Sequence, residues 1–269
     1  MLDYHVHTDY SPDGKASMAA QCLAAIRAGV AEICFTEHLE YGAPLPQFAA
    51  QPRFGPWFEE IGRSRRAFPE LRILAGVEAA DIDTETERTL REIKRWPFDF
   101  VLLSQHIVDG MDPYEGKFFE GRIQAQAYEA YARAVLESLR RFEDFDSLAH
   151  FGYVAKFAPY DPSVRAFTRD FAPDEVDAVL THLARQGKAL EINTSRMAMD
   201  MPIPGVPIVR RFSELGGELV TLGSDAHRED MVGAGLREAA QMAMECGIRY
   251  LARYEARVLT PVKLEEVLG

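Results

Sequence analysis

Cysteine is scarce in this 269-residue chain: Cys22, Cys34 and Cys246 are an odd number, and none belongs to a C-x-x-C pair. That disfavours a disulfide framework and a thiolate zinc site, and it fits a reducing compartment. Long apolar runs are also missing. No stretch approaches the length of a membrane span and no charged-then-apolar leader stands near the N-terminus, so a cytoplasmic protein with no membrane partner is expected. Positive charge is in deficit, with 30 Lys and Arg against 42 Asp and Glu and a formal net charge of −12. This argues against a general nucleic-acid surface, because phosphate backbones are gripped chiefly by Lys and Arg. Divalent cations held in one cleft would still make that cleft locally positive. Low-complexity tracts are absent, and 47% hydrophobic content supplies one large core. A single domain over 1–269 is expected. The oligomeric state is not legible.

What the chain does contain is an alternation of short apolar runs and amphipathic stretches. The strand-like runs are "LDYHV", "AEICFTE", "RILAGVE", "FDFVLLS", "DSLAHF", "KALEIN" and "ELVTLGS". Between them lie helix candidates "SMAAQCLAAIRAG", "TETERTLREIKRW", "AQAYEAYARAVLESLRRF", "PDEVDAVLTHLARQG", "IVRRFSELGG" and "GLREAAQMAMECG", several of them closed by a C-terminal Gly. Repeated strand–helix units imply parallel strands with right-handed crossovers, and about seven of them predict a distorted α/β barrel; a doubly wound open sheet is the alternative. Two long irregular stretches, "LEYGAPLPQFAAQPRFGP" and "VDGMDPYEGKFFEGR", follow the second and fourth strands and are expected to be lids or binding loops.

Metal-capable side chains recur at the strand ends: His5 and His7, Glu37 and His38, Glu78, His106, His150, then Asp225 and His227. In an α/β barrel those ends converge on one face, where active sites are built. Residues i and i+2 of a strand share a face, so His5 and His7 point together, and Asp225 and His227 can do likewise. A lone histidine at a strand end is more often a satisfied polar group than a ligand. Here, of seven histidines, only His182 lies mid-helix, in "AVLTHLARQG", and it is taken as structural or surface. Of the adjacent pair Glu37 and His38, alternation turns one inward, and His38 is chosen.

The ordered set "HVHTDYSPDG", "FTEH", "GVE", "SQHIVDG", "AHFGYVAK", "EINTS" and "GSDAH" resembles the polymerase and histidinol phosphatase (PHP) family, specifically its histidinol-phosphate phosphatase branch. The match runs from residue 3 to about residue 230. The resemblance implies a distorted (β/α)7 TIM-like barrel with three divalent metal ions, Zn, Mn or Fe, at its C-terminal face. Carried over by position, His5, His7, Glu78 and Asp225 hold the first ion. Glu78 bridges to a second completed by His106 and His150, and His38, His227 and Asp13 of "SPDG" take the third. Relatives often have histidine where Asp13 stands; the aspartate adds charge. Glu78, Asp225 and His227 are the expected catalytic residues.

The chemistry implied is hydrolysis of a small phosphomonoester, L-histidinol phosphate to L-histidinol and phosphate, in histidine biosynthesis. Imidazoles and carboxylates without thiolates suit Zn, Mn or Fe(II), and paired ions activate water and clamp phosphoryl oxygens. Lys156 in "GYVAKF" and Arg196 in "EINTSRM" are expected to complete the phosphate clamp, with Ser104 as a further substrate contact. The alkoxide leaving group calls for a proton donor that the sequence does not identify. Asp109, Asp112 and Glu115 of the acidic loop are candidates to receive the cationic amino and imidazole groups. Three alternatives stay open: another small phosphorylated metabolite or nucleotide, an amidohydrolase, and a nuclease or polymerase-assisting module. Glu78 stands where an amidohydrolase commonly needs a bridging carbamylated lysine, and the acidic balance argues against long nucleic acids.

Overall fold

The computed structural model describes residues 1–50, 53–196 and 202–269. Seven parallel strands follow one another in chain order: β1 (Leu2–Val6), β2 (Glu32–Leu39), β3 (Arg72–Ala80), β4 (Phe100–Ser104), β5 (Ser147–Leu148), β6 (Ala189–Asn193) and β7 (Leu219–Gly223). The crossovers carry α1 (Met18–Arg27), α2 (Pro46–Ala49), α3 (Phe54–Ala67), α4 (Thr86–Arg95), α5 (Gln124–Arg141), α6 (Tyr153–Phe157), α7 (Pro173–Gln186) and α8 (Val206–Glu214). Beyond β7 come α9 (Leu236–Glu245), an antiparallel hairpin of β8 (Tyr250–Glu255) and β9 (Val258–Lys263), and α10 (Leu264–Leu268). Among the described residues, no helix is long and apolar enough to cross a membrane.

The lower half of β7 pairs with β8, through Leu219↔Tyr250 and Val220↔Leu251. Just past its upper end the chain leans onto β1 instead. Asp225 N donates to His5 O at 2.8 Å and His7 N to Ala226 O at 2.9 Å, so the end of β7 meets β1. This is the distorted seven-stranded barrel that the strand–helix alternation predicts. Odd and even residues divide cleanly. Ile33, Phe35, Ile73, Val77, Val101, Leu103, Leu190 and Ile192 pack outward beneath the helices, and Tyr4, Cys34, Leu74, Phe100, Leu102 and Ala189 fill a smaller inner cluster.

Beyond the short helices α2, α6 and α10, which no expected helix covers, the departures from the sequence expectation are α3 and the hairpin of β8 and β9. The helix α3 occupies the end of a stretch read as loop, because Gly55 and Pro56 look like breakers; both sit in its first turn, where a missing N–H costs nothing. The hairpin β8–β9 was not anticipated at all. Its two-residue turn places Ala256 and Arg257 at φ 46° and 67°, a left-handed pair usually signalled by Asn-Gly. Contacts hold it there: Asp99 accepts from Ala256 N through Oδ1 at 3.0 Å and from Arg257 N through its carbonyl at 2.9 Å, and the Arg257 guanidinium reaches Asp144.

The hairpin closes the barrel from below. Tyr254 stacks at a tilt on Phe100 (centroids 5.2 Å apart), donates its backbone N–H to the Tyr4 hydroxyl at 2.9 Å, and donates its own hydroxyl to Asp146 O at 3.1 Å. Replacing this buried ring, Tyr254→Ala, should cost about 3–5 kcal/mol of unfolding free energy, as for other buried aromatics. Tyr254→Phe should cost only about 1 kcal/mol, the net worth of one hydrogen bond. Urea denaturation followed by circular dichroism reads both, and equal stabilities for the two variants would show that the ring does not seal the floor.

Candidate metal centre

Strand β1 does more than alternate. Its pairing with β2 slips between Asp3 and Val6, and this irregularity lets two successive side chains, Tyr4 and His5, both face inward. Tyr4 meets Phe100 and Tyr254 below, while His5 meets Glu191 of β6 above. His7, two residues on, lies beside it with the two Nε2 atoms 3.0 Å apart. Along β2 and the residue just past it, alternation turns His38 and Glu40 inward and Glu37 outward, to Thr8, Ser11 and Trp57. His150 and Asp225 follow β5 and β7 at φ 46° and 53°. Such left-handed backbone in non-glycine residues is characteristic of functional sites.

At the centre stands Glu78 of β3. Its Oε2 lies 3.2 Å from His5 Nε2, 3.4 Å from His7 Nε2 and 3.1 Å from His38 Nδ1. Its Oε1 lies 3.2 Å from His106 Nε2 and 2.9 Å from His150 Nε2. One carboxylate thus faces two sets of imidazoles with different oxygens. Asp225 Oδ1 is 3.7 Å from both His5 and His7 and 3.5 Å from His227, and its Oδ2 is 2.5 Å from Lys156 Nζ. Asp13 spans the third flank, 3.0 Å from His227 Nε2 and 3.5 Å from His38 Nε2. All of the residues expected as ligands fall in this one cluster.

The electrostatics follow from packing carboxylates and imidazoles out of water. Burial works to raise the carboxyl of Glu78, but His5, His38 and His106 hold it well below the ordinary range. Burial opposes a charge on His106, yet Glu40 and Glu78 lift it to about 10. His7 goes the other way, down to about 3, through burial and the neighbouring His227 and His38. Several buried polar atoms have no hydrogen-bond partner of acceptable geometry: Glu78 Oε2, both ring nitrogens of His38, His227 Nε2 and Asp13 Oδ1. Each such atom costs roughly 1–3 kcal/mol if left alone. They converge, they are hard or borderline donors, and no thiol is among them, which fits Zn, Mn or Fe(II). Triplets with ligand atoms within 4.8 Å of one another are His5–His7–Asp225, His5–Glu78–His150, His7–His38–His227 and His38–Glu40–His106.

Two carboxylates here escaped the sequence reading. Glu40 accepts from His106 Nδ1 at 2.9 Å and lies equally close to His38; its signal is the i+2 spacing from His38, one residue past the end of β2. Glu191 accepts from His5 Nδ1 at 2.6 Å. Nothing in "KALEIN" announces it. Gly223 makes the contact possible, because a Cβ there would lie 2.3 Å from Glu191 Oε1 and 2.4 Å from His5 Cβ.

A cavity of about 460 Å³ opens above the cluster, with Phe48, Tyr114, Tyr153 and Phe157 on its walls beside Lys15, Asp112 and Lys156. That volume suits a small molecule. Of the acidic loop, Asp112 lines the cavity and accepts from the Tyr153 hydroxyl at 3.1 Å, whereas Asp109 turns away to Arg122 and Glu115 is exposed. Arg196 is half-buried and donates to Lys156 O at 3.4 Å; neither it nor Ser104, which is fully buried at the end of β4, lines the cavity. His182 remains on α7, outside the cluster.

The chain has relatives among known proteins. The chain is 32% identical over 260 residues to the histidinol-phosphatase of Lactococcus lactis, covering 94% of both chains. A crystal structure of histidinol phosphate phosphatase from the same species, complexed with zinc, L-histidinol and phosphate, superposes with a TM-score of 0.88 at 27% identity, covering 96% of this chain and 98% of that one. A Listeria monocytogenes structure at 20% identity, TM-score 0.75 and coverage of 87% and 98%, shares the fold. The model of the PHP domain matches residues 3–195, and the chain belongs to the PHP family.

Proposed function

We propose that the chain hydrolyses L-histidinol phosphate to L-histidinol and phosphate, using up to three divalent ions. The observation that carries this reading is the double-faced Glu78, which puts one oxygen toward His5, His7 and His38 and the other toward His106 and His150. His5, His7, Glu78 and Asp225 would hold one ion, Glu78, His106 and His150 a second, and Asp13, His38 and His227 a third. When bound, such ions lower the pKa of water and offset charge on phosphoryl oxygens.

The remaining work falls to the chain's own groups. Lys156 reaches into the cavity from α6 with its ammonium already beside Asp225, so a phosphate oxygen entering there meets a cation on the side away from the histidines. Arg196, whose guanidinium lies against the Lys156 carbonyl outside the cavity lining, joins the same phosphate grip by turning its side chain past that carbonyl, and its flat fork suits two parallel bonds. Asp112 offers a carboxylate to the ammonium or imidazolium of the substrate, and the aromatic walls cover an imidazole ring and exclude water.

A phosphate-release assay on purified, metal-analysed protein tests the substrate. Histidinol phosphate should be turned over in preference to other small phosphomonoesters, prolonged chelation should abolish release, and Mn, Zn or Fe(II) should restore it. Full activity in a demonstrably metal-free preparation would overturn the reading.

Variants rank the residues. Glu78→Gln should lose metal and nearly all turnover, whereas His182→Gln should change neither; a folded but inactive His182→Gln protein would contradict the placement. Lys156→Met and Arg196→Met should keep their metal and lose about 10- to 100-fold in kcat/KM, the worth of one charge-assisted contact. The Arg196 loss should be the larger, because a guanidinium grips two oxygens at once. Unchanged steady-state kinetics in both would remove these cations from the phosphate site.

A further inference from the structure

Two imidazoles of the cluster have a carboxylate directly on the ring nitrogen that points away from the centre: His5 with Glu191 and His106 with Glu40. His7 has a serine there instead. Its Nδ1 lies 3.1 Å from Ser11 Oγ, and Ser11 Oγ lies 2.5 Å from Oε2 of Glu37. We propose that Ser11 and Glu37 are positioning residues that fix the ring tautomer of His7, so that its Nε2 lone pair is presented to the metal centre.

The argument counts protons. Glu37 sits on the outward face of β2, is only 2% exposed, and meets four donors. Its Oε1 accepts from Thr8 Oγ1 at 2.7 Å and Trp57 Nε1 at 3.1 Å, and its Oε2 accepts from Thr8 N at 3.2 Å as well as from Ser11. A carboxylate saturated in this way only accepts. The single hydroxyl proton of Ser11 is therefore spent on Glu37. Toward its other neighbours Ser11 Oγ must accept, and one of them, the backbone N–H of His38 at 3.3 Å, can do nothing but donate. The other is His7 Nδ1, which must then carry hydrogen. In a neutral imidazole this leaves the lone pair on Nε2, the atom that faces Glu78 Oε2 at 3.4 Å and Asp225 Oδ1 at 3.7 Å. The serine also keeps a full negative charge off the ring. His7 is thus oriented by a longer, neutral contact than the one that holds His5, and it remains the less basic donor of the pair.

The inference rests on the cluster being a metal site, and its test reads zinc alone. Zinc-loaded wild type and variants are titrated with a chelator of known affinity. Ser11→Ala should give up one zinc equivalent 10- to 100-fold more readily than wild type, the usual effect of losing an outer partner of a ligating histidine. Ser11→Thr, which keeps the hydroxyl, should recover most of the affinity. Trp57→Phe removes a donor from the opposite oxygen of Glu37 and should leave zinc affinity unchanged; a loss equal to that of Ser11→Ala would mean that Glu37 only props α3, and would overturn the proposal. A folded Ser11→Ala protein that holds zinc as tightly as wild type also overturns it. Ring nitrogen shifts from nitrogen-15 NMR of zinc-loaded wild type decide the matter without any variant: a His7 protonated on Nδ1 is expected, and one protonated on Nε2 refutes the assignment. Wild type that binds zinc but releases no phosphate from histidinol phosphate would remove the substrate assignment and leave this one standing.

Discussion

One buried carboxylate sets the terms for the mouth of this barrel. Glu78 lies at a position where the inward faces of five strands' worth of side chains meet, and an isolated carboxylate there would carry a large desolvation cost. Five imidazole nitrogens within 3.4 Å make the position tenable. The histidines in turn need outer partners, because a ring with one nitrogen on Glu78 must place the other somewhere. Glu191, Glu40 and the Ser11–Glu37 pair answer that need for His5, His106 and His7. The result is a layered arrangement in which acids and imidazoles alternate outward from the centre. Breaking any layer exposes the next to an unpaired charge in a poor solvent, which is the expensive way to damage a buried polar network.

The sequence displayed the innermost layer and hid the others, for a physical reason. Ligating groups at strand ends obey local rules: His5 and His7 at i and i+2, or Asp225 and His227 in "GSDAH", reveal themselves by spacing. Outer partners obey only three-dimensional ones. Glu191 meets His5 across 186 residues of chain, through a gap that exists because position 223 lacks a Cβ. Glu40 is the exception, since its i+2 spacing from His38 is a local signal of the same kind as that of His5 and His7. Alternation with His38 turns Glu37 outward, but its link through Ser11 to His7 needs the loop after β1 to be folded.

The framework shows the same division. All seven parallel strands carry their apolar pattern openly, although β5 shrinks to Ser147–Leu148 within a longer apolar run. The hairpin of β8 and β9 does not, because its turn uses Ala256 and Arg257 in a conformation that neither residue prefers, and tertiary bonds to Asp99 and Asp144 enforce it. Local propensity carries no trace of an element whose turn is dictated from elsewhere. The slip in β1 is hidden in the same way: strict alternation would set Tyr4 and His5 on opposite faces, and only the pairing with β2 shows that both turn in.

That slip gives β1 two jobs at once, and the aromatic floor is the second. Tyr4, Phe100 and Tyr254 form a dry stopper beneath the polar layer. Little water can therefore screen the acids and histidines from below, and their field meets solvent chiefly through the open cavity. A charged ligand approaching that opening feels the cluster through one window, so the floor, which touches nothing that reacts, acts as an insulator that aims the electrostatics of the mouth.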